Sequence, residues 1–261
     1  MIYVGTSGFK FDDWKGEFYP VGLPQTAWLK YYAERFNCLE VNSSYYTLIH
    51  PATFARMAEK VPAGFQFTVK AFKGMTHEIT EETGQAFSTF VGSVQPLLEA
   101  GKLGCILGQF PNKFRNVGDN RRYLLEFQER IGDLPLVYEF RSRDWIRDET
   151  FDFLRERGIG YCAVDEPQFK SLIPPVAVAT SGIGYARFHG RNYDQWWSGD
   201  VKKRYDYLYS LDELNEWIPK ITALDDATSK VFVFMNNCYA AQAAKNAAQM
   251  QELLQPRLAE T

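Results

Sequence analysis

Tyr185-Ala186-Arg187-Phe188-His189-Gly190-Arg191 reads as a β-strand, and the fold turns on that reading. Period-two alternation puts Arg187, His189 and Arg191 on one face and Ala186 and Phe188 on the other. Two guanidiniums and an imidazole on one face are expensive to bury, so they must meet carboxylates, an anionic ligand or water. Outward from this run, similar β-rich stretches fall at 2–7, 38–43, 65–71, 103–110, 134–141, 160–166 and 230–237. That makes eight, spaced by about 33 residues, an interval that suits repeated βα units of a parallel sheet.

Helical patterns fill most gaps, at 26–36, 51–60, 80–100, 120–131, 149–157, 211–224 and 240–255. Thr80 with Thr83, and Ser210 before Leu211-Asp212-Glu213, look like helix starts carrying early acidic residues. Two connections break the rhythm. Residues 166–180 hold Pro167, Pro174 and Pro175, which argues against a regular helix after the sixth strand. Residues 192–209 form a long aromatic and charged insertion after the seventh. With no second composition block, residues 1–261 are expected to form a single α/β domain, a TIM-barrel-like (β/α)8 fold of parallel strands with an irregular sixth βα connection. A doubly wound open sheet is the alternative.

A composition 46% hydrophobic and 16% aromatic can fill a large core. No basic leader precedes the first strand and no window approaches about 18 consecutive apolar residues, so a cytoplasmic protein with no membrane partner is expected. Cys38, Cys105, Cys162 and Cys238 form no metal-ligand spacing and read as reduced core thiols. A net charge of −3 gives no global pull toward polyanions, so any anion affinity must be local. Oligomeric state stays open.

Strands of a covered parallel sheet should be nearly continuously apolar, so polar residues near their C-terminal ends need a reason. Glu40 and Asn42, Thr68 and Lys70, and Glu139 and Arg141 share faces in this way, while Gln109, Asp165 and Asn236 hold comparable places on strands 4, 6 and 8. Glu40, Lys70, Glu139, Arg141, Asp165, Arg187 and His189 are therefore expected in one cluster at the barrel mouth. Counting Arg191 as well, this mouth carries one net positive charge and favours phosphate or carboxylate. Buried Arg–carboxylate pairs that merely neutralise each other are the bland alternative.

The ordered segments VGTSGFKFDDWKGEFYP (4–20), FNCLEVNSSYY (36–46), FTVKAFKGMTH (67–77), LGQFPNKF (107–114), VYEFRSRDW (137–145) and YARFHGRN (185–192) together resemble the YecE-like family, domain of unknown function 72. The resemblance spans most of the chain. It implies a TIM-barrel-like fold in a mostly prokaryotic family without an established activity. This chain departs from the family pattern at Phe110-Pro111, where Pro-Pro is frequent after the strand-4 Gln. It departs again at Arg141-Ser142-Arg143-Asp144-Trp145, where Arg-His-x-Ser-Trp is frequent, so that an imidazole beside Arg141 is missing from that segment.

Among chemistries, a multi-zinc phosphoesterase is short of ligands, since His50, His77 and His189 are the only histidines and His50 sits at a helix start. A single divalent ion on Glu40, Glu139, Asp165 and His189 is left open but not preferred, because adjacent arginines compete for those carboxylates. A glycoside-processing enzyme needs two flanking carboxyls, yet the ends of strands 4 and 7 hold Gln109 and Arg187 or His189. The preferred reading is binding, and hydrolysis, of a phosphate-bearing nucleotide or nucleic acid. Lys70, Arg141, Arg187 and Arg191 would grip phosphate, Asn42, Gln109 and Asn236 would add polar contacts, and Tyr45 or Trp196 would stack a base. His189, Glu139, Asp165 and Glu40 would supply the catalysis, with His189 the proton carrier. Lys202-Lys203-Arg204 beside Tyr205 and Tyr207 add basic and aromatic groups, and Gly5-Thr6-Ser7-Gly8 could cradle a phosphate. A non-catalytic phosphate-ligand sensor is the rival from another class.

Overall fold

The computed structural model describes residues 1–80 and 83–258; Glu81 and Glu82, early acidic residues of the expected third helix, and the side chain of Lys202 lie outside the described part. Among the described residues eight parallel strands run as β1 (Ile2–Thr6), β2 (Cys38–Val41), β3 (Gln66–Lys70), β4 (Leu103–Gln109), β5 (Leu136–Glu139), β6 (Gly160–Asp165), β7 (Ile183–Phe188) and β8 (Lys230–Met235). Their order, β1-β8-β7-β6-β5-β4-β3-β2, is that of a barrel opened between β1 and β2. The open sheet considered as an alternative would instead reverse its strand order at a switch point.

Closure across β1 and β2 has a particular construction. The strands share one parallel bridge, Ser7 to Glu40, with the Gly8 N–H donating to the Glu40 carbonyl at 2.9 Å. Below it side chains replace the ladder. The Tyr32 hydroxyl accepts the Thr6 N–H at 2.8 Å and donates to the Cys38 carbonyl at 3.1 Å, while Asn37 Oδ1 accepts the Val4 N–H at 3.0 Å. Gly5 is required here, since a Cβ would come within 2.3 Å of the Cys38 carbonyl oxygen.

The helices are α1 (Trp28–Ala33), α2 (Pro51–Glu59), α3 (Thr83–Glu99), α4 (Gly118–Ile131), α5 (Asp148–Glu156), α6 (Val201–Arg204), α7 (Leu211–Asn215), α8 (Ile218–Ala227) and α9 (Gln242–Leu258). Among the described residues no helix joins β6 to β7, as Pro167, Pro174 and Pro175 suggest. The pattern at 211–224 divides into α7 and α8, with Pro219 in the first turn of α8, where its missing N–H is harmless. Ser210 and Glu213 form the capping box that starts α7, and exposed His50 caps α2 by accepting the Ala52 N–H at 3.2 Å. Ala243, Ala244 and Ala247 of α9 are buried, and their small side chains let this helix lie close on β1. All four cysteines are free thiols. No described helix is long and apolar enough to cross a membrane.

The barrel interior is layered. Aromatic rings fill its lower part, with Tyr3 stacked on Phe232 at 5.1 Å and Tyr185 against Phe234 at 5.4 Å. At the height of the Tyr185 hydroxyl, which donates to Glu40 at 2.6 Å, the filling turns ionic.

Candidate functional site at the barrel mouth

Charged residues at the strand ends form a continuous ladder across the barrel. Arg187 on β7 places Nη2 2.6 Å from Glu40 Oε1 on β2, and Nη1 2.6 Å from Glu139 Oε2 on β5. Arg141, just past β5, holds Nε 2.5 Å from Glu139 Oε1 and Nη1 2.9 Å from Glu166 Oε2. Glu166 Oε1 also accepts the Ile173 N–H at 3.2 Å, tying the irregular connection to the ladder. Glu40, Glu139, Glu166 and Arg187 are essentially removed from water. Ions at such depth persist only when paired and hydrogen-bonded, and here each carboxylate has a guanidinium.

Arg141 Nη2 lies 3.0 Å from His189 Nε2, and the Asn236 amide lies 2.9 Å from His189 Nδ1. His189 therefore supplies the imidazole beside Arg141, from across the barrel. Burial, then the neighbouring Arg141, holds its pKa well below the ordinary value, so the ring is neutral. Glu166 moves the other way, pushed up to about 7 by burial and by Glu139 against the pull of Arg141.

Lys70, at the end of β3, stands apart. Its ammonium lies 4.4 Å above the Tyr45 ring and has no ion pair or hydrogen bond among the described residues. Burial, then the Arg187 charge, lowers its pKa to about 7, although Glu139 and Glu40 pull upward. Tyr45 meets His77 edge-on at 5.0 Å, and His77 Nε2 lies 3.5 Å from the Gln109 amide. Burial and the Lys70 charge lower His77 to about 4. Asn42 belongs to the same rim, with its buried Oδ1 unpartnered among the described residues. Beside it opens a cleft of about 860 Å³ walled by Phe9, Phe11, Leu48, Ile49 and Met57.

The structure thus brings together Glu40, Asn42, Tyr45, Lys70, Gln109, Glu139, Arg141, Arg187, His189 and Asn236. It does not bring Asp165, Arg191 or Trp196 to them. Asp165 lies on the opposite face of β6, toward the helices, where it accepts from Tyr209 Oη and Trp217 Nε1 at 2.7 Å each. Arg191 follows it, donating to both Asp165 oxygens and to Glu216, because Gly190 (φ 88°) breaks the strand before it and ends the alternation. Trp196 is buried within its own loop under Arg204. Exchanging Arg191 and Asp165 for Glu166 also corrects the charge count, since three cations now face three carboxylates and the expected surplus disappears. Thr6 turns outward to Tyr32 and closes on the Gly8 carbonyl, so its hydroxyl is engaged at the seam rather than lining a phosphate cradle. No group of three His, Cys, Asp or Glu among the described residues is arranged to hold a metal.

Two mouth residues, Glu166 and Tyr185, escape the sequence reading, and a third is placed by it only in the basic loop. Glu166 was signalled only as one of two adjacent acids on a strand apolar on both faces, which leaves the phase undecided. Tyr185 has the right phase but reads as core. Tyr205, read from the sequence only as an aromatic of the basic loop, brings its ring 6.4 Å from His189.

A family model described as "Protein of unknown function DUF72" matches residues 3–261. The chain is similar to the UPF0759 protein YunF of Bacillus subtilis (strain 168), with 33% identity over 97% of this chain and 95% of that one. Among solved structures, a DUF72 family protein from Thermotoga maritima MSB8 superimposes with a TM-score of 0.90 at 39% identity, covering 98% of this chain and 99% of that one. Another, from Enterococcus faecalis V583, gives a TM-score of 0.86 at 28% identity, covering 98% and 96%.

Proposed function

The chain belongs to the DUF72 family, a family described by no activity, and on that premise we propose that its mouth binds a small ligand bearing one phosphate or carboxylate group. The observation that carries this is Lys70, a cation at the end of a barrel strand with no direct ion pair or hydrogen bond among the described residues. Arg187 and Arg141 are engaged by carboxylates, so a polyanionic duplex, which needs several cations turned toward phosphates, suits the mouth less well than a single anion. Tyr45 lies under the ammonium, His77 and then Gln109 continue outward from Tyr45, and the orphaned Asn42 oxygen offers an acceptor to a donor group on the same ligand. The glycoside reading is disfavoured because Glu40 and Glu139 are both held at 2.6 Å by Arg187. Should the ligand be hydrolysed, Glu166, held near 7, is better suited to exchanging a proton at neutral pH than His189, which is as deeply buried and held neutral.

A ligand that binds the folded state raises its melting temperature by mass action. Orthophosphate, sulfate and nucleotides are expected to do so, neutral sugars are not, and Lys70→Met abolishes the response. The shift should fall as pH rises past about 7, where Lys70 loses its proton. An equal response to neutral sugars, or an unchanged response in Lys70→Met, overturns the reading.

A further inference from the structure

We propose that Lys70 is a nucleophile, and that its amine condenses with the carbonyl carbon of a small 2-oxo acid to form an imine in the barrel mouth. The inference deepens the anion reading and rests on it for the carboxylate. Its starting point is the absence of a direct partner. The mouth is neutral as a whole, but Arg187 takes Glu40 and Glu139 and Arg141 takes Glu139 and Glu166 at contact distance, which leaves Lys70 without an ion pair among the described residues.

A half-buried ammonium with only the Tyr45 face beneath it is poorly solvated, and losing the proton is its simplest relief. The amine form is the nucleophile, and a lysine held near 7 carries a substantial share of it at neutral pH. Ser44 fixes the backbone beneath, donating to the Lys70 carbonyl at 2.6 Å, so the side chain projects from an anchored strand end. With no hydrogen-bond donor on Nζ among the described residues and His77 nearby held neutral, the nitrogen lone pair is free for attack.

The step balances without an oxidant or reductant. The Nζ lone pair forms the C–N bond as the carbonyl π bond breaks, and one amine proton passes to the oxygen to give a carbinolamine. A second proton, taken from water, lets that hydroxyl depart as water while the nitrogen lone pair, with one N–H retained, forms the C=N bond. The protonated imine restores a positive charge beside the carboxylate of the bound acid.

The test is incubation of the full chain with pyruvate and sodium cyanoborohydride, read by intact mass and peptide mapping. One reduced adduct on the peptide carrying Lys70 is expected, with a rate that rises to a plateau through about pH 7. Lys70→Met and Lys70→Arg should lose that adduct while keeping the native circular dichroism. Adducts spread over exposed lysines, or a single adduct that persists in both variants, overturn the proposal. Malonate, which has carboxylates but no ketone, separates the two readings. If malonate raises the melting temperature and pyruvate leaves Lys70 unmodified, only the nucleophile fails; if neither acts, the anion reading fails with it.

Discussion

Asp165 and Glu166 are neighbours in sequence, yet they enter two buried charge networks on opposite faces of β6, and the two networks differ in how they close. On the helix side, Asp165 takes Arg191 Nε at 2.9 Å, Arg191 Nη2, Tyr209 Oη and Trp217 Nε1 at 2.7 Å each. Every lone pair has a donor, and Arg191 spends its remaining reach on Glu216. On the barrel side, Arg141 and Arg187 hold Glu166, Glu139 and Glu40 at contact distance, and the Lys70 ammonium balances the charge without pairing with any of them. A network whose every group is paired is architecture; one that leaves an ammonium without a hydrogen bond has room for something else.

The sharpest way to break this contrast is Glu139→Gln. It removes the one charge shared by Arg141 and Arg187, leaves each with a single carboxylate, Glu166 and Glu40, and gives the buried mouth one uncompensated positive charge, so stability should drop by about 3–5 kcal/mol in urea titrations. A loss below about 1 kcal/mol means that the ladder is not what holds the mouth. Asp165→Asn should cost less, about 1.5–3 kcal/mol, because Arg191 keeps Glu216 while Tyr209 and Trp217 retain a weaker acceptor. It should leave the orthophosphate response intact; if that response disappears, the outer network belongs to the site after all.

Lys70→Met should do the reverse and stabilise the protein, by about 1 kcal/mol below pH 7, since it removes a cation that folding leaves unpaired. The folded pKa lies below the unfolded one, so the unfolded chain binds more protons between about pH 7 and 10, and wild-type stability rises with pH in that window. The advantage of Lys70→Met is therefore full below pH 7 and fades as pH climbs through the window. A destabilised variant at pH 6 removes the basis for treating Lys70 as unpaired.

The barrel was legible in the chain because its signal is repeated: eight β-rich runs at even spacing leave little choice of topology. The prolines at 167, 174 and 175 likewise located the connection without a helix. The mouth was only partly legible. Glu40, Lys70, Glu139, Arg187 and His189 follow from alternation on strands whose phase is anchored by polar residues. β6 carries no such anchor, so Asp165 was placed inward in error and Glu166 overlooked. Arg191 was misplaced for a related reason, since alternation holds only while the backbone stays extended and Gly190 ends it. Which arginines were already neutralised depends on contacts between residues as distant as Glu40 and Arg187, and no local pattern records that.

The seam between β1 and β2 gives this barrel a fastening whose strength can be read amide by amide. Along β1 the odd and even backbone N–H groups serve different neighbours: Ser7 donates to the Met235 carbonyl of β8, whereas Val4 and Thr6 donate to Asn37 and Tyr32. Those two side chains arrive with α1 and the turn after it, so the last stave is locked by the docking of a helix rather than by a neighbouring strand. Transient detachment of α1 would free Thr6 and spare Ser7. Deuterium exchange should then run faster at Thr6 than at the very next residue, and Tyr32→Phe should widen the gap.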